Sequence, residues 1–296
     1  MSTIARIPAA IFKTLRPWDW LKNVFVLAPA VIVITSWAQA TVVSALLAFA
    51  AFCAVASAGY CINDVIDRHR DRLHPIKRWR PVASHALPVW MALLVAALCY
   101  AVGAWLGWIL GRPVADYLVL FAGLNLIYSI ALRTVPIVDV LAVAVGYVLR
   151  IDAGAALIGH APSVWLVICT FLIGLFAALA KRRDDVIATL EEEADPGRPG
   201  YNEGFLNVAV SIFLTALVLS YVMYVTDMAL AEHARIGQMH LTVPFVIAAA
   251  LRYLQVILVD EEPGEPFGLL RRDPFMMLMV AGWAGTIGYL VHERSP

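Results

Sequence analysis

Between Asn63 and Asp71 the chain carries three carboxylates and a carboxamide, at Asp64, Asp67, Asp71 and Asn63, and bases follow at His74, Lys77, Arg78 and Arg80. On a helix the three aspartates fall at i, i+3 and i+7 and share one face. Like charges packed this closely repel unless a cation neutralises them. Hard oxygen donors suit magnesium, which usually completes its shell with substrate phosphates. Lysine is a compact positive charge and arginine a bidentate fork for phosphate oxygens, so the bases suit the anion such a metal holds. Pro75, Trp79 and Pro81 stiffen the turn that carries them. The pattern reads as a magnesium–diphosphate site, with Asp64, Asp67, Asp71 and Asn63 as metal ligands. A structural alternative is a solvated face held by pairs such as Asp67 with Arg70 or Asp71 with Lys77. It does not explain why a block of acids precedes a block of bases.

Composition sets the medium. Of 296 residues, 61% are hydrophobic and 15% charged, against roughly 45–50% and 25% in soluble domains; this is the composition of an integral membrane protein. A hydrocarbon layer of ~30 Å takes about 20 apolar residues to cross. Nine such stretches fall near 24–40, 41–62, 87–110, 114–131, 135–158, 163–180, 205–225, 241–259 and 274–291. The first leads directly into the second and lacks a small-residue cleavage site, so it is not read as a signal peptide. The expected fold is all-α and polytopic, a single membrane domain over 1–296 with long loops at 63–86 and 181–204. Lysine and arginine in short loops stay on the cytoplasmic side. With the N-terminus inside, seventeen of the 22 basic residues fall on that side, while Arg112, Arg235 and Arg294 fall on the other. The Asn63–Pro81 segment is therefore expected in the cytoplasm and the C-terminus outside.

Zero net charge gives no field that favours nucleic acid. Cys53, Cys61, Cys99 and Cys169 lack metal-ligand spacing and read as core. Asp139, Arg150, Asp152 and Arg252 fall within spans, where a charge facing lipid is costly, so each lines a cavity or pairs inside the bundle. Tyr201 joins the candidates because Arg198 lies beside it. Oligomeric state is not readable from these features.

Asn63-Asp64-x-x-Asp67-x-x-x-Asp71 followed by His74-Pro75-x-Lys77-x-x-Arg80-Pro81 resembles the first signature of the UbiA superfamily of intramembrane prenyltransferases, and within it the decaprenyl-phosphate phosphoribosyltransferase branch. The resemblance continues through Arg16-Pro17-x-x-Trp20-x-Lys22-Asn23, Tyr128-Ser129 with Leu132 and Asp139, Leu149-Arg150, Lys181-Arg182, Arg198 with Tyr201-Asn202, Phe205-Leu206, Arg252-Tyr253-Leu254 and Gly264-Glu265-Pro266. It implies nine transmembrane helices around a central cavity with cytosolic cap loops. It also implies a plasma (inner) membrane location and a link to arabinose donors for cell-wall polymers.

Ordinary members of that superfamily carry a second D-x-x-x-D on the other long loop. Here the loop reads Lys181-Arg182-Arg183-Asp184-Asp185, with Thr189 where the spacing requires an acid. A cationic pair beside a single acid suits an anionic substrate group better than a second metal. That pattern, with the resemblance, implies phosphoribosyl pyrophosphate as donor, a polyprenyl monophosphate as acceptor and diphosphate as leaving group. The expected roles put Lys77, Arg78 and Arg80 on the donor, and Lys22, Lys181, Arg182 and Arg198 on phosphates. Asn23, His74, Tyr128, Arg150, Asp185, Tyr201 and Arg252 complete the substrate contacts. Asp185 stands where the branch has Glu, Asn207 where it has Asp, and Asp152 where it is apolar; Glu191, Glu192 and Glu193 read as solvated surface. Two rival readings remain: prenyl transfer to an aromatic acceptor, which the missing second acid motif weakens, and a lipid or solute transporter. Transporters commonly carry broken helices at the midplane, whereas the dense charge here sits in loops.

Overall fold

The computed structural model describes residues 7–29, 39–73, 77–191, 200–231 and 238–292, and among them every regular element is helical. In chain order these are α1 (Ile7–Leu15), a 3-10 helix (Pro17–Leu27), α2 (Gln39–Leu73), α3 (Val89–Leu110), α4 (Arg112–Ile130), α5 (Val138–Leu157), α6 (Val164–Glu191), α7 (Glu203–Ala231), α8 (Val243–Leu258), α9 (Pro266–Arg272) and α10 (Pro274–His292), with short 3-10 turns at Lys77–Trp79, Leu132–Thr134 and Met239–Thr242. Seven helical stretches, α2 to α7 and Met239–Leu258, which joins a 3-10 turn to α8, are long and apolar enough to cross a membrane, and Pro274–Leu290 is a shorter apolar helix. Most of the expected 24–40 span lies outside the described residues; against the nine spans expected, the described residues show seven and one shorter apolar helix. Large apolar side chains such as Trp90, Leu94, Leu98, Trp105 and Trp108 on α3 are exposed, as befits a multi-pass membrane protein whose solvent is lipid.

The expected loops at 63–86 and 181–204 are in large part helix. With its 35 residues, α2 extends about 52 Å at 1.5 Å per residue, well beyond a ~30 Å hydrocarbon layer. Its charged end from Asn63 onward continues the same helix. Likewise α6 runs on to Glu191 and holds Lys181 to Asp185 on helical turns.

The chain divides into two compact units, residues 1–133 with 146–162, and residues 134–145 with 163–296. In the first, small residues on α2, among them Ala48, Ala51 and Ala56, pack with Phe52, Leu118, Phe121 and Val26. Small side chains let helix backbones come close, and membrane helices gain most of their packing energy that way. The second unit is centred on Leu175, Leu179, Leu206, Val210, Tyr253 and Ile257.

The 3-10 helix Pro17–Leu27 has 11 residues, far beyond the usual three or four. Its sequence explains its survival. In a 3-10 helix side chains at i and i+3 eclipse, and Trp20, Asn23 and Val26 form one such row. Trp20 Nε1 donates to Ser57 Oγ at 3.0 Å, and Asn23 and Val26 are buried. Gly154 of α5 admits this row: a Cβ there would lie 2.1 Å from the Val26 carbonyl oxygen, which is backbone and cannot swing aside. Gly154→Ala is expected to destabilise the protein by about 1–3 kcal/mol, as overpacking does. Gly123→Ala, where a Cβ meets nothing within 4 Å, is the matched control and should melt at or above wild type. Thermal unfolding in detergent reads both.

Candidate functional site

In the first unit the carboxylate face of α2 forms as the spacing requires, and arginines meet it. Asp64 and Asp71 are buried. Arg16 Nη2 donates to Asp64 Oδ1 at 2.5 Å, Arg80 Nη1 to Asp71 Oδ2 at 2.8 Å, and Arg80 also lies 3.5 Å from Asp64. Asp67 is paired with Arg133. The partners are thus Arg80 and Arg133, and not the local Lys77 and Arg70 of the structural alternative. Arg16 adopts a left-handed backbone (φ 51°, ψ 62°), which costs a non-glycine residue roughly 1–2 kcal/mol. Its ion pair with Asp64 and a stack 5.0 Å over the Tyr60 ring hold it there.

The donor set fits a hard divalent cation. Asn63 Oδ1 is buried and accepts no hydrogen bond among the described residues, one turn from Asp67 on the same helix. No group of three His, Cys, Asp or Glu side chains is close enough among the described residues to hold an ion unaided. A cation here would draw on one or two carboxylates, Asn63 and substrate oxygens, the mode that magnesium favours.

Lys22 Nζ donates to Asp19 Oδ1 at 2.6 Å. Asn23 is wholly buried, its Nδ2 3.2 Å from Cys53 Sγ and its Oδ1 accepting from Arg150 Nε at 2.7 Å. Lys77 is half-buried, Arg78 is exposed and lies 5.2 Å over the Trp79 ring, and Tyr128 is half-buried near the end of α4. His74 lies outside the described residues.

The second unit assembles a separate cluster. Arg182 Nε donates to Asp139 Oδ2 at 2.6 Å and Nη1 to Asp185 Oδ2 at 3.2 Å. Tyr201 Oη donates to Asp139 Oδ1 at 2.7 Å and accepts from the Ile137 N–H at 2.6 Å. Burial and the bond to Asp139 push the Tyr201 phenol up to about 12, so it stays a donor at neutral pH. Ile137 is left-handed at φ 69°, a real outlier for a β-branched residue. Gly200 (φ +99°) packs against Pro136, where a Cβ would come within 2.5 Å of the ring. Strain on this scale, of order 1–3 kcal/mol per residue, persists where the surroundings over-determine it. Tyr201→Phe is expected to destabilise the protein by about 1–2 kcal/mol, because buried Asp139 then loses a donor and the Ile137 N–H its acceptor. A lowered melting temperature in detergent is the check. Lys181 is exposed, and Arg198 lies outside the described residues.

Two basic residues take structural posts. Arg183 is buried, donating to Asn207 Oδ1 at 2.7 Å and to the Ile257 carbonyl at 2.5 Å. Arg252 pairs with Asp273 at 2.8 Å and Asp260 at 3.4 Å, apart from the Asp139 cluster of its own unit. Asp184 Oδ1 accepts from the Gly264 N–H at 2.8 Å. The Lys181–Asp185 stretch is therefore split by helical phase: Arg182 and Asp185 meet Asp139, while Arg183 and Asp184 brace the chain after α8. Asn207, where the resemblance expects Asp, serves that brace.

Sequence reasoning left Arg16, Arg133 and Asp139 out of the site. Arg133 counted only as a positive charge in a short loop, Arg16 only as part of a motif, and Asp139 as part of a motif and as a charge within a span that must line a cavity or pair.

An all-α multi-pass membrane protein, with a carboxylate–guanidinium face on one long helix and a second guanidinium cluster on another, defines the class. The chain belongs to the UbiA prenyltransferase family, whose model matches residues 24–266. It is 29% identical over 298 residues to the decaprenyl-phosphate phosphoribosyltransferase of Mycobacterium tuberculosis, covering 97% of this chain and 96% of the relative. It is 30% identical over 292 residues to the enzyme of the same name from Corynebacterium glutamicum, covering 95% and 86%. Its fold matches the solved structure of a UbiA homolog from Archaeoglobus fulgidus bound to GPP and Mg2+, with TM-score 0.71, 18% identity, and coverage of 97% of this chain and all of the other.

Proposed function

We propose that this transferase moves a 5-phosphoribosyl group from phosphoribosyl pyrophosphate to a polyprenyl monophosphate of decaprenyl type, releasing diphosphate, at the cytoplasmic side of the plasma membrane. The observation that carries the reading is the second cluster. Where a prenyl diphosphate enzyme would need a second acid set, this chain has Arg182 anchored by Asp139 and Thr189 in the acid position. Near-complete alignment with relatives named decaprenyl-phosphate phosphoribosyltransferase supports it.

Asn63 and one or two of Asp64, Asp67 and Asp71, together with substrate oxygens, would hold magnesium, which supplies Lewis-acid neutralisation of the departing diphosphate. Arg80, already within the carboxylate face, and Lys77 and Arg78 beside it, place the donor's phosphates. Lys22, Lys181, Arg182 and Arg198 are assigned to substrate phosphates as forks and point charges, with Asp185 orienting Arg182. An acceptor phosphate is anionic at neutral pH, so it needs placement more than deprotonation, and no general base is required. Attack from the face opposite the diphosphate inverts the anomeric carbon.

Purified protein given magnesium, labelled phosphoribosyl pyrophosphate and a polyprenyl monophosphate is expected to yield labelled lipid, and chelation by EDTA to stop it. Consumption of a prenyl diphosphate with an aromatic acceptor, and no labelled lipid, would overturn the reading in favour of prenyl transfer.

A further inference from the structure

Seven charged side chains are buried among the described residues: Asp64, Asp71, Asp139, Arg150, Arg182, Arg183 and Asp273. Six have an opposite charge close by, at 2.5 Å for Asp64, 2.8 Å for Asp71, 2.6 Å for Asp139 and Arg182, 3.8 Å for Arg183 and 2.8 Å for Asp273. Arg150 has none among the described residues, although it is 6% exposed. Among the described residues, the groups that bond to or stack on its guanidinium are neutral. Nε donates to Asn23 Oδ1 at 2.7 Å and Nη1 to the Gly146 carbonyl at 2.6 Å, and the rings of Phe121 and Tyr147 lie 4.4 Å and 5.4 Å away.

Those two bonds use two of the five N–H donors that a guanidinium carries, and the Nη2 edge has no acceptor among the described residues. The frame is built to hold the head group still. Asn23 is itself fully buried, and its amide can face only one way, because a guanidinium donates and never accepts while Nδ2 is engaged by Cys53 Sγ at 3.2 Å. Aromatic faces favour a cation yet do not discharge it. A buried cation so placed destabilises the fold unless an anion joins it.

We propose that Arg150, presented by Asn23, is a recognition site for a phosphate monoester in the core of the first unit, distinct from the carboxylate face of α2. Asn23 meets α2 at Cys53, eleven residues before Asp64, or about 16 Å along a helix. A monoester phosphate is a compact dianion that takes a guanidinium edge in bidentate fashion. In calling that phosphate a substrate's, and only there, the inference rests on the transferase reading. The two monoesters of the proposed reaction are the sugar 5-phosphate of the donor and the lipid phosphate of the acceptor.

The test uses the full chain in detergent micelles without magnesium, with ribose 5-phosphate and geranyl monophosphate as separate probes. Wild type is expected to bind at least one of them. Arg150→Met should weaken that probe at least tenfold, and Arg150→Lys by a lesser factor. Binding of magnesium pyrophosphate, which reads the carboxylate face, should stay within twofold in both variants. The probe that responds tells sugar phosphate from lipid phosphate. Wild-type affinity for both probes in Arg150→Met, no binding of either by wild type, or a parallel loss of magnesium pyrophosphate binding overturns the proposal. If Arg150→Met does not fold, Arg150→Lys decides: weakening of the responsive probe by threefold or more supports it, and unchanged affinity sinks it. Wild-type protein that binds a monoester through Arg150 but makes no labelled lipid refutes the proposed function and leaves this inference standing.

Discussion

Asp64→Asn is expected to lower phosphoribosyl transfer by about 10³-fold or more while leaving a folded protein. Asparagine keeps the shape and one acceptor oxygen but loses the charge, and with it the strongest donor for a divalent cation. Metal polarisation of a phosphoryl group contributes several kcal/mol to transition-state stabilisation, and each 1.36 kcal/mol is tenfold in rate. The variant's stability should fall only moderately. Arg80 keeps Asp71 at 2.8 Å, and Arg16, with its side chain 23% exposed, keeps the Tyr60 ring, so neither cation is stranded in a dry core. Asp67→Asn should behave similarly, because Asp67 lies on the same face and pairs with Arg133. Turnover across a magnesium titration separates the causes. A lost ligand shows as a raised magnesium requirement as well as a lowered rate, whereas a merely unlocked Arg16 or Arg133 leaves the metal dependence alone. Wild-type rates in both variants would remove α2 from the chemistry.

How much of this was legible in the sequence depends on distance along the chain. The helices announced themselves, because lipid demands unbroken apolar runs and a satisfied backbone. The shared face of Asp64, Asp67 and Asp71 followed from helical periodicity alone. Their partners did not. Arg16 lies 48 residues from Asp64, Arg133 lies 66 from Asp67, and Arg182 lies 43 from Asp139. No local pattern marks which cation crosses to which carboxylate. The Pro17–Leu27 helix was hidden for a different reason: its three-residue row of Trp20, Asn23 and Val26 is too short to stand out from an α-helical pattern. Nor could the Lys181–Asp185 run be divided by role until the turn of α6 showed that Arg182 and Arg183 point to different partners. Of the cationic pair read from sequence as an anion site, Arg182 meets Asp139 and Lys181 is exposed, while Arg183, outside that pair, is the brace.

Asp139→Ala is expected to be the costliest single change in the second unit, at about 3 kcal/mol of stability. Removing one member of a buried ion pair typically costs ~3–5 kcal/mol, because the other charge stays in a dry site. The lower figure applies here because Asp185 remains 3.2 Å from Arg182 and is 28% exposed. Tyr201 loses its acceptor in the same step, and the strained Ile137 turn loses its anchor. For a chain of this size that corresponds to a drop of roughly 6–12 °C in melting temperature. The companion variant separates fold from function. Replacing both partners of a buried pair by apolar groups is often neutral, so Asp139→Ala with Arg182→Met should recover most of the melting temperature. Transfer activity should not return with it, because the proposed role of Arg182 is to meet a substrate phosphate with its fork. Recovery of melting temperature and turnover together would make Arg182 a strut for Asp139 and no more, and would return the selection of an activated sugar to the carboxylate face of α2.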